Sequence, residues 1–169
     1  MTDRTLSLHK VYSGWDDFQQ TLVTAVAPLT PERLVLRSAP HLRSIGEILA
    51  HIISARVAWF HIGLGVGDEE VERFRAGNQG PSSASELVDG LEATWSMIHD
   101  ALKSWGVADL DGEVKASFRG KDYLLPRQWV IWHVIEHDLH HGGELLLTLG
   151  IHNLPTPAVG MVTDRIKEL

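Results

Sequence analysis

The chain has 169 residues, 44% of them hydrophobic and 22% charged, and a formal charge of -7. That is enough apolar chain for one self-sufficient core, and the wrong sign for a surface that tracks phosphates. Cysteine is absent while histidine occurs ten times, which excludes disulfides, thiolate-held zinc or iron–sulfur clusters and a protein thiol nucleophile. A single domain over 1–169 is expected, without a nucleic-acid partner. The opening Met1-Thr-Asp-Arg-Thr-Leu6 has no apolar segment, and no stretch approaches the roughly 18 uninterrupted apolar residues of a membrane span, so a cytoplasmic protein with no membrane partner is expected.

Four long stretches carry a helical period, separated by breakers. From about Leu8 to Ala27, Val11, Trp15, Phe18, Leu22 and Val26 recur at spacings of three and four, and Pro28 and Pro31 close the run. This predicts one amphipathic helix. Ser44-Ile-Gly-Glu47 is a capping box and should start the second helix, whose stripe of Ile45, Ile48, Leu49, Ile52, Trp59 and Phe60 fades into Gly63, Gly65 and Gly67. The acidic, weakly patterned segment from Gly65 to Pro81 reads as an exposed crossover. A second capping box, Ser83-Ala-Ser-Glu86, opens a third helix that ends at Gly106. Between Gly106 and Leu125 a short alternation, Val114, Ala116 and Phe118, followed by Gly120-Lys-Asp and Tyr123, suits a small hairpin or an extended loop.

Pro126 suits the first position of a fourth helix reaching Leu149 and ending at Gly150, on the order of 35 Å long at ~1.5 Å per residue. It is apolar on most sides, from Trp129, Trp132, Ile135 and Leu139 to Leu147, so it is expected to be the most enclosed of the four. The tail from Ile151 to Leu169 contains Pro155 and Pro157 and is expected to end in a short helix. The fold class that follows is all-α, a four-helix bundle with long crossover connections. Trp59, Trp95, Trp105, Trp129 and Trp132 fall on or at the ends of helical stripes and are expected in the core and as pocket walls, or on a dimer face.

The polar stripe of the fourth helix holds His133, His137, His140, His141 and Glu144. His133, His137 and His141 form an i, i+4, i+8 row, and two neutral imidazoles one turn apart reach a common divalent ion. Either His133/His137 or His137/His141 makes such a clip. His51, in the apolar second helix, is the best-placed third ligand, because a histidine there needs a partner. A core histidine bonded to a carbonyl, and a solvated histidine face, are the plainer readings of these residues. Three imidazoles leave a coordination position free for water or substrate. His133-Val-Ile-Glu136-His137 also spells the H-x-x-E-H of inverted zinc proteases, but only 32 residues follow His137, too few for the downstream glutamate ligand and cleft of that class.

Ser44-Ile-Gly-Glu-Ile-Leu-Ala-His51-Ile and Trp132-His-Val-Ile-Glu-His137-Asp-Leu-His-His141-Gly-Gly-Glu144-Leu together resemble the DinB-like family, also called damage-inducible or YfiT-like, with helix order and spacing alike over nearly the whole chain. The resemblance implies a four-helix bundle and a divalent metal, Zn, Ni, Fe or Mn, held by His51, His137 and His141, with His133 and His140 as neighbours. Glu47 or Glu144 could orient the ligating rings, although the capping box already uses Glu47. The family often has Arg directly after the second His of the pair, where this chain has Gly142, so any role of that arginine is in doubt here. The family's name suggests DNA repair, which the -7 charge argues against. Characterised relatives are similar to metal-dependent transferases and isomerases that use low-molecular-weight thiols, such as bacillithiol transferases and mycothiol-dependent maleylpyruvate isomerase. The resemblance thus implies a metal-dependent hydrolase or thiol transferase acting on a small molecule, with a small thiol as cosubstrate and a homodimer as the assembly. The alternative is a non-catalytic stress-response bundle with a structural ion.

Overall fold

The computed structural model describes residues 7–75, 83–118 and 120–157. The first expected helix is split. A single turn, α1 (Leu8–Val11), is followed by α2 (Gly14–Val26), and Ser13 and Gly14, two adjacent residues of low helix propensity, lie at the break. Val11 leaves the stripe as a result and is 60% exposed. A further short turn, α3 (Pro31–Leu34), starts on its proline and buries Leu34.

The second helix, α4 (Ile45–Arg56), starts where its capping box predicts. The Glu47 amide donates to Ser44 Oγ at 3.2 Å and the Ser44 amide to Glu47 Oε2 at 2.7 Å, an arrangement worth about 0.5–2 kcal/mol. The chain then continues as a π-helical segment, Val57–Gly63. The run Ile45–Gly63 is long and apolar enough to cross a membrane by length and mean hydropathy (1.2), but half of it is buried within the protein. It includes Glu47, His51 and Arg56 and serves as the central helix of the bundle. The crossover after it holds a 3-10 turn, Glu69–Phe74, that buries Val71, so this part is docked rather than fully exposed.

The second capping box opens α5 (Ala84–Ser104) as expected, with both reciprocal bonds present. The hairpin is real: β1 (Glu113–Phe118) pairs antiparallel with β2 (Lys121–Pro126), Ser117 opposite Asp122, and Gly120 takes φ +73° at the turn. The last helix, α6 (Arg127–Ile151), begins one residue after the expected Pro126, which caps it in an extended conformation. Nor does it end at Gly150. Asn153 takes the left-handed conformation (φ 54°), its amide bonds the Gly150 carbonyl at 3.0 Å, and the Leu154 amide bonds the Leu149 carbonyl at 2.9 Å. This is a Schellman ending with asparagine in the usual glycine position. The helix expected in the tail falls largely on 158–169, outside the described residues.

α2, α4, α5 and α6 pack as a four-helix bundle around Phe18, Leu22, Leu49, Ile52, Leu91 and Ile98, with α4 and α6 in the most extensive contact. α4, not α6, is the enclosed helix. One side of α6 leaves Trp132 60%, Leu139 49% and Leu147 63% exposed. Of the five tryptophans expected in the core or as pocket walls, Trp59, Trp95 and Trp105 pack against it, while Trp129 and Trp132 lie at the surface.

A polar network runs through the middle of this core. Arg56, at the end of α4, and Asp138, on α6, are both fully buried. Asp138 Oδ2 accepts from Arg56 Nη2 at 2.7 Å, Arg56 Nε at 3.0 Å and Trp15 Nε1 of α2 at 2.8 Å. The remaining Arg56 nitrogen donates to Gln19 Oε1 of α2 at 2.7 Å, and Gln19 Nε2 donates to the Leu91 carbonyl of α5 at 3.1 Å. All four long helices meet in this one network.

Gly142 marks the closest approach of α6 to α2. A Cβ there would lie 2.3 Å from Phe18 Cζ and 2.9 Å from Phe18 Cε1, whereas one at Gly143 would meet nothing within 4 Å. A side chain at 142 would require the Phe18 ring to move. Gly142→Ala is expected to lower unfolding stability by about 1–3 kcal/mol through overpacking. Gly143→Ala is expected to leave it unchanged or raise it by up to about 1 kcal/mol through helix propensity. Urea denaturation of the two variants measures both.

Candidate metal centre

The pairing of α4 and α6 brings His51 against the i, i+4 pair of α6. His51 Nε2 and His137 Nε2 lie 3.1 Å apart. The ring centroids of His51 and His141 are 4.6 Å apart, and those of His137 and His141 4.4 Å. One ligand atom from each of the three comes within 4.8 Å of the others. His133 is set further off, its ring 6.4 Å from that of His137. It stacks flat on Trp129 (4.8 Å, 7°) and meets Trp59 edge-on (4.8 Å, 73°). The structure therefore assembles the His137/His141 pair with His51, and holds His133 in an aromatic stack beside it.

Glu144 completes the arrangement. His141 Nδ1 lies 2.6 Å from Glu144 Oε2, so the carboxylate accepts the Nδ1–H and leaves Nε2 as the nitrogen free to ligate, the carboxylate–histidine pairing typical of metal sites. His140 is exposed, and its Nε2 lies 3.7 Å from the other Glu144 oxygen. Glu47 is engaged elsewhere, by the capping box and by Arg37 at 2.7 Å. Glu136, the base of the protease-like motif, is exposed on another side of α6.

The environment favours the neutral form of His51 and His137. Burial, then the neighbouring His141, His51, His133 and His140, pushes His137 down to about 3. Burial also lowers His51, helped by Arg43 and His141 and opposed by Glu144. For Glu144, burial works upward, but the hydrogen bond from His141 and the charges of His141, His140 and Arg43 outweigh it and hold the carboxyl below its ordinary value. Neutral imidazole is the form that binds metal. The donor set fits a divalent first-row ion: three ring nitrogens, one already oriented, with two at a separation close to that of neighbouring ligands around a single ion with bonds of about 2.0–2.1 Å. His137 Nδ1 is buried and has no hydrogen-bond partner among the described residues. A cavity of about 560 Å³ between the Glu69–Phe74 turn and α5 shares no residue with this centre.

The DinB superfamily profile matches residues 15–145. The chain belongs to the DinB superfamily. A solved structure of a DinB-like protein from Bacillus cereus superposes with a TM-score of 0.70 at 23% identity, covering 88% of this chain and 94% of that one, a likeness that bears on the fold alone. No curated protein matches the sequence. The all-α architecture of this DinB-like protein and the family resemblance read from its two histidine-bearing helices are thus both established.

Sequence reasoning passed over the Arg56–Asp138 network and the Trp129–His133–Trp59 stack. Signals for both are present in the sequence. Arg56 falls on the Ile48/Ile52 stripe and Asp138 one turn after Val134, opposite charges at core positions of two apolar helices, and Trp129 precedes His133 by one helical turn.

His137 also makes the metal-free protein acid-sensitive. Unfolded, its pKa returns to about 6.5; folded, it is about 3. Its contribution to stability is therefore complete above about pH 6.5, and is lost as the pH falls toward 3, where only the unfolded chain takes up the proton. In chelator-treated protein the urea midpoint is expected to fall between pH 7 and 4, and to fall less steeply in His137→Gln. Equal slopes would contradict this account.

Proposed function

We propose that this DinB-superfamily protein is a divalent-metal-dependent enzyme acting on a small molecule in the cytoplasm, as a hydrolase or a low-molecular-weight-thiol transferase, with His51, His137 and His141 as the ligands of Zn, Ni, Fe or Mn. The observation that carries the reading is the convergence of three imidazoles from two helices, with His51 and His137 Nε2 3.1 Å apart and His137 held neutral. A divalent ion in that position supplies a Lewis acid that lowers the pKa of a small thiol or of water. Glu144 fixes the tautomer of His141, and the Trp129–His133–Trp59 stack walls one side of the centre with rigid rings. Arg43 adds positive charge close enough to lower both His51 and Glu144, which favours a substrate carrying a carboxylate or other anionic group. With no cysteine in the chain, a reacting sulfur must arrive on a cosubstrate.

Elemental analysis of protein from metal-replete medium should find bound divalent metal, of which His137→Ala loses about one equivalent and His133→Ala loses little. Glu144→Gln is expected to weaken affinity about 10–100-fold. Metal-free wild type, or equal loss in the His133 and His137 variants, would overturn the ligand assignment.

The same reading takes the protein as a homodimer. Trp132, Leu139, Gly143 and Leu147, spaced seven, four and four along α6, form an exposed apolar stripe with open space over Gly143, and a two-fold pairing buries one such stripe against its copy. Sedimentation should give the mass of a dimer, and Leu139→Glu with Leu147→Glu should give a monomer; a monomeric wild type would remove the proposal.

A further inference from the structure

Three of the five histidines left without a role hold no comparable cluster: His61 Nδ1 is 2.9 Å from the Val66 carbonyl, His152 Nε2 is 2.9 Å from the Arg37 carbonyl, and His41 lies in an exposed loop. The other two, His9 and His99, come together although 90 positions separate them. Leu8 is buried, and its amide donates to the Trp105 carbonyl at 3.0 Å, which pins the α1 turn against the end of α5. His9 is thereby set edge-on to His99, ring centroids 4.5 Å apart at 89°. Asp16, in the first turn of α2, brings Oδ2 to 3.2 Å from His9 Nε2. Ligand atoms of His9, Asp16 and His99 all lie within 4.8 Å of one another.

We infer that His9, Asp16 and His99 form a second divalent-metal site, independent of the His51/His137/His141 centre. Two imidazoles and one carboxylate are a donor set suited to Zn²⁺, Fe²⁺, Co²⁺ or Mn²⁺, with the remaining positions left to water. The 3.2 Å edge between His9 and Asp16 is already that of adjacent ligands on one ion with bonds of about 2.0–2.2 Å. An ordinary His–Asp ion pair would explain those two residues alone. A further contact of that kind, His99 Nδ1 to Asp100 at 3.6 Å, lies within α5; neither pair explains the two imidazoles turned edge-on to each other, nor the convergence of three separate helices on the point. The side chains are 27% (His9), 24% (Asp16) and 25% (His99) exposed, so an ion can reach them and solvent can complete its shell. The site shares no ligand with the first. Its nearest link runs through Trp95, whose ring lies 6.2 Å from His99 and 5.3 Å from Trp15, the donor to Asp138 beside His137.

Isothermal titration of the chelator-treated full chain with Zn²⁺ tests the site. Wild type should bind two equivalents, and His99→Ala one. In the His137→Ala/His141→Ala background one equivalent should remain, and adding Asp16→Asn should weaken it at least tenfold. Should that background not fold, the single variants His9→Gln and His99→Gln in otherwise wild-type protein decide the matter, each expected to drop the stoichiometry from two to one. Wild type binding a single equivalent that His99→Ala leaves intact overturns the second site while sparing the first. A single equivalent lost in His99→Ala and kept in His137→Ala would place the ion at His9, Asp16 and His99 and remove the first centre instead. Co²⁺ should also quench Trp95 emission in wild type but not in His99→Gln; equal quenching in both counts against the site.

Discussion

The Arg56–Asp138 ion pair is the constraint on which the rest of this structure depends. Both groups are fully buried, and taking two such charges out of water costs several kcal/mol each, recovered only when geometry and hydrogen bonding are nearly complete. Here Trp15 supplies the third donor to Asp138 Oδ2, Gln19 takes the remaining arm of Arg56, and Gln19 is fixed in turn by the Leu91 carbonyl, while Asp138 Oδ1 is buried without a partner among the described residues. Losing one partner of such a pair typically costs about 3–5 kcal/mol, because the survivor stays buried and uncompensated. The network therefore specifies how the four helices are rotated about their axes more sharply than the surrounding leucines and isoleucines can, since apolar contacts tolerate sliding and a two-donor carboxylate contact does not.

That rotation is what brings His51, His137 and His141 together. Neighbouring side chains on a helix point about 100° apart, so once Asp138 is fixed inward toward Arg56, His137 and His141 must lie together on the adjoining flank, which α4 covers with His51. Gly142 acts in the same direction. A Cβ there would meet the Phe18 ring, so glycine lets α6 seat against α2 at the residue after His141.

Much of this was legible in the sequence, and what was not has identifiable physical causes. The two capping boxes located α4 and α5 because their logic is local, a hydroxyl and a carboxylate three residues apart. The histidine row was legible because helical period alone puts positions 137 and 141 on one face. The resemblance selected the His137/His141 pair over His133/His137, and the structure supplies a reason in the aromatic stack that occupies His133. The break at Ser13-Gly14 escaped a reading of apolar spacing, since the stripe continues across it while the backbone does not. The end of α6 escaped because Gly150 looks like a stop, yet the left-handed position fell to Asn153. The exposed side of α6 was misjudged for a different reason: an apolar residue in a sequence does not say whether its partner is its own chain or another surface. Arg56 and Asp138 sit where the period says core, and read singly each is only a charge out of place; their meaning is in the pair.

The histidines themselves now divide by what surrounds them rather than by sequence spacing. At the α4–α6 centre the imidazoles crowd one another, so each raises the cost of protonating the next, and burial adds to it. This is the electrostatic condition for holding a cation other than a proton, because the repulsion that forbids three imidazolium ions becomes attraction of three lone pairs to one divalent charge. One donor remains out of balance: the buried Nδ1 of His137 has no partner among the described residues, whereas His141 has Glu144 in that role. The two α6 imidazoles are therefore unequal, His141 oriented through its Nδ1 by a carboxylate and His137 held by packing and by its Nε2 contact with His51.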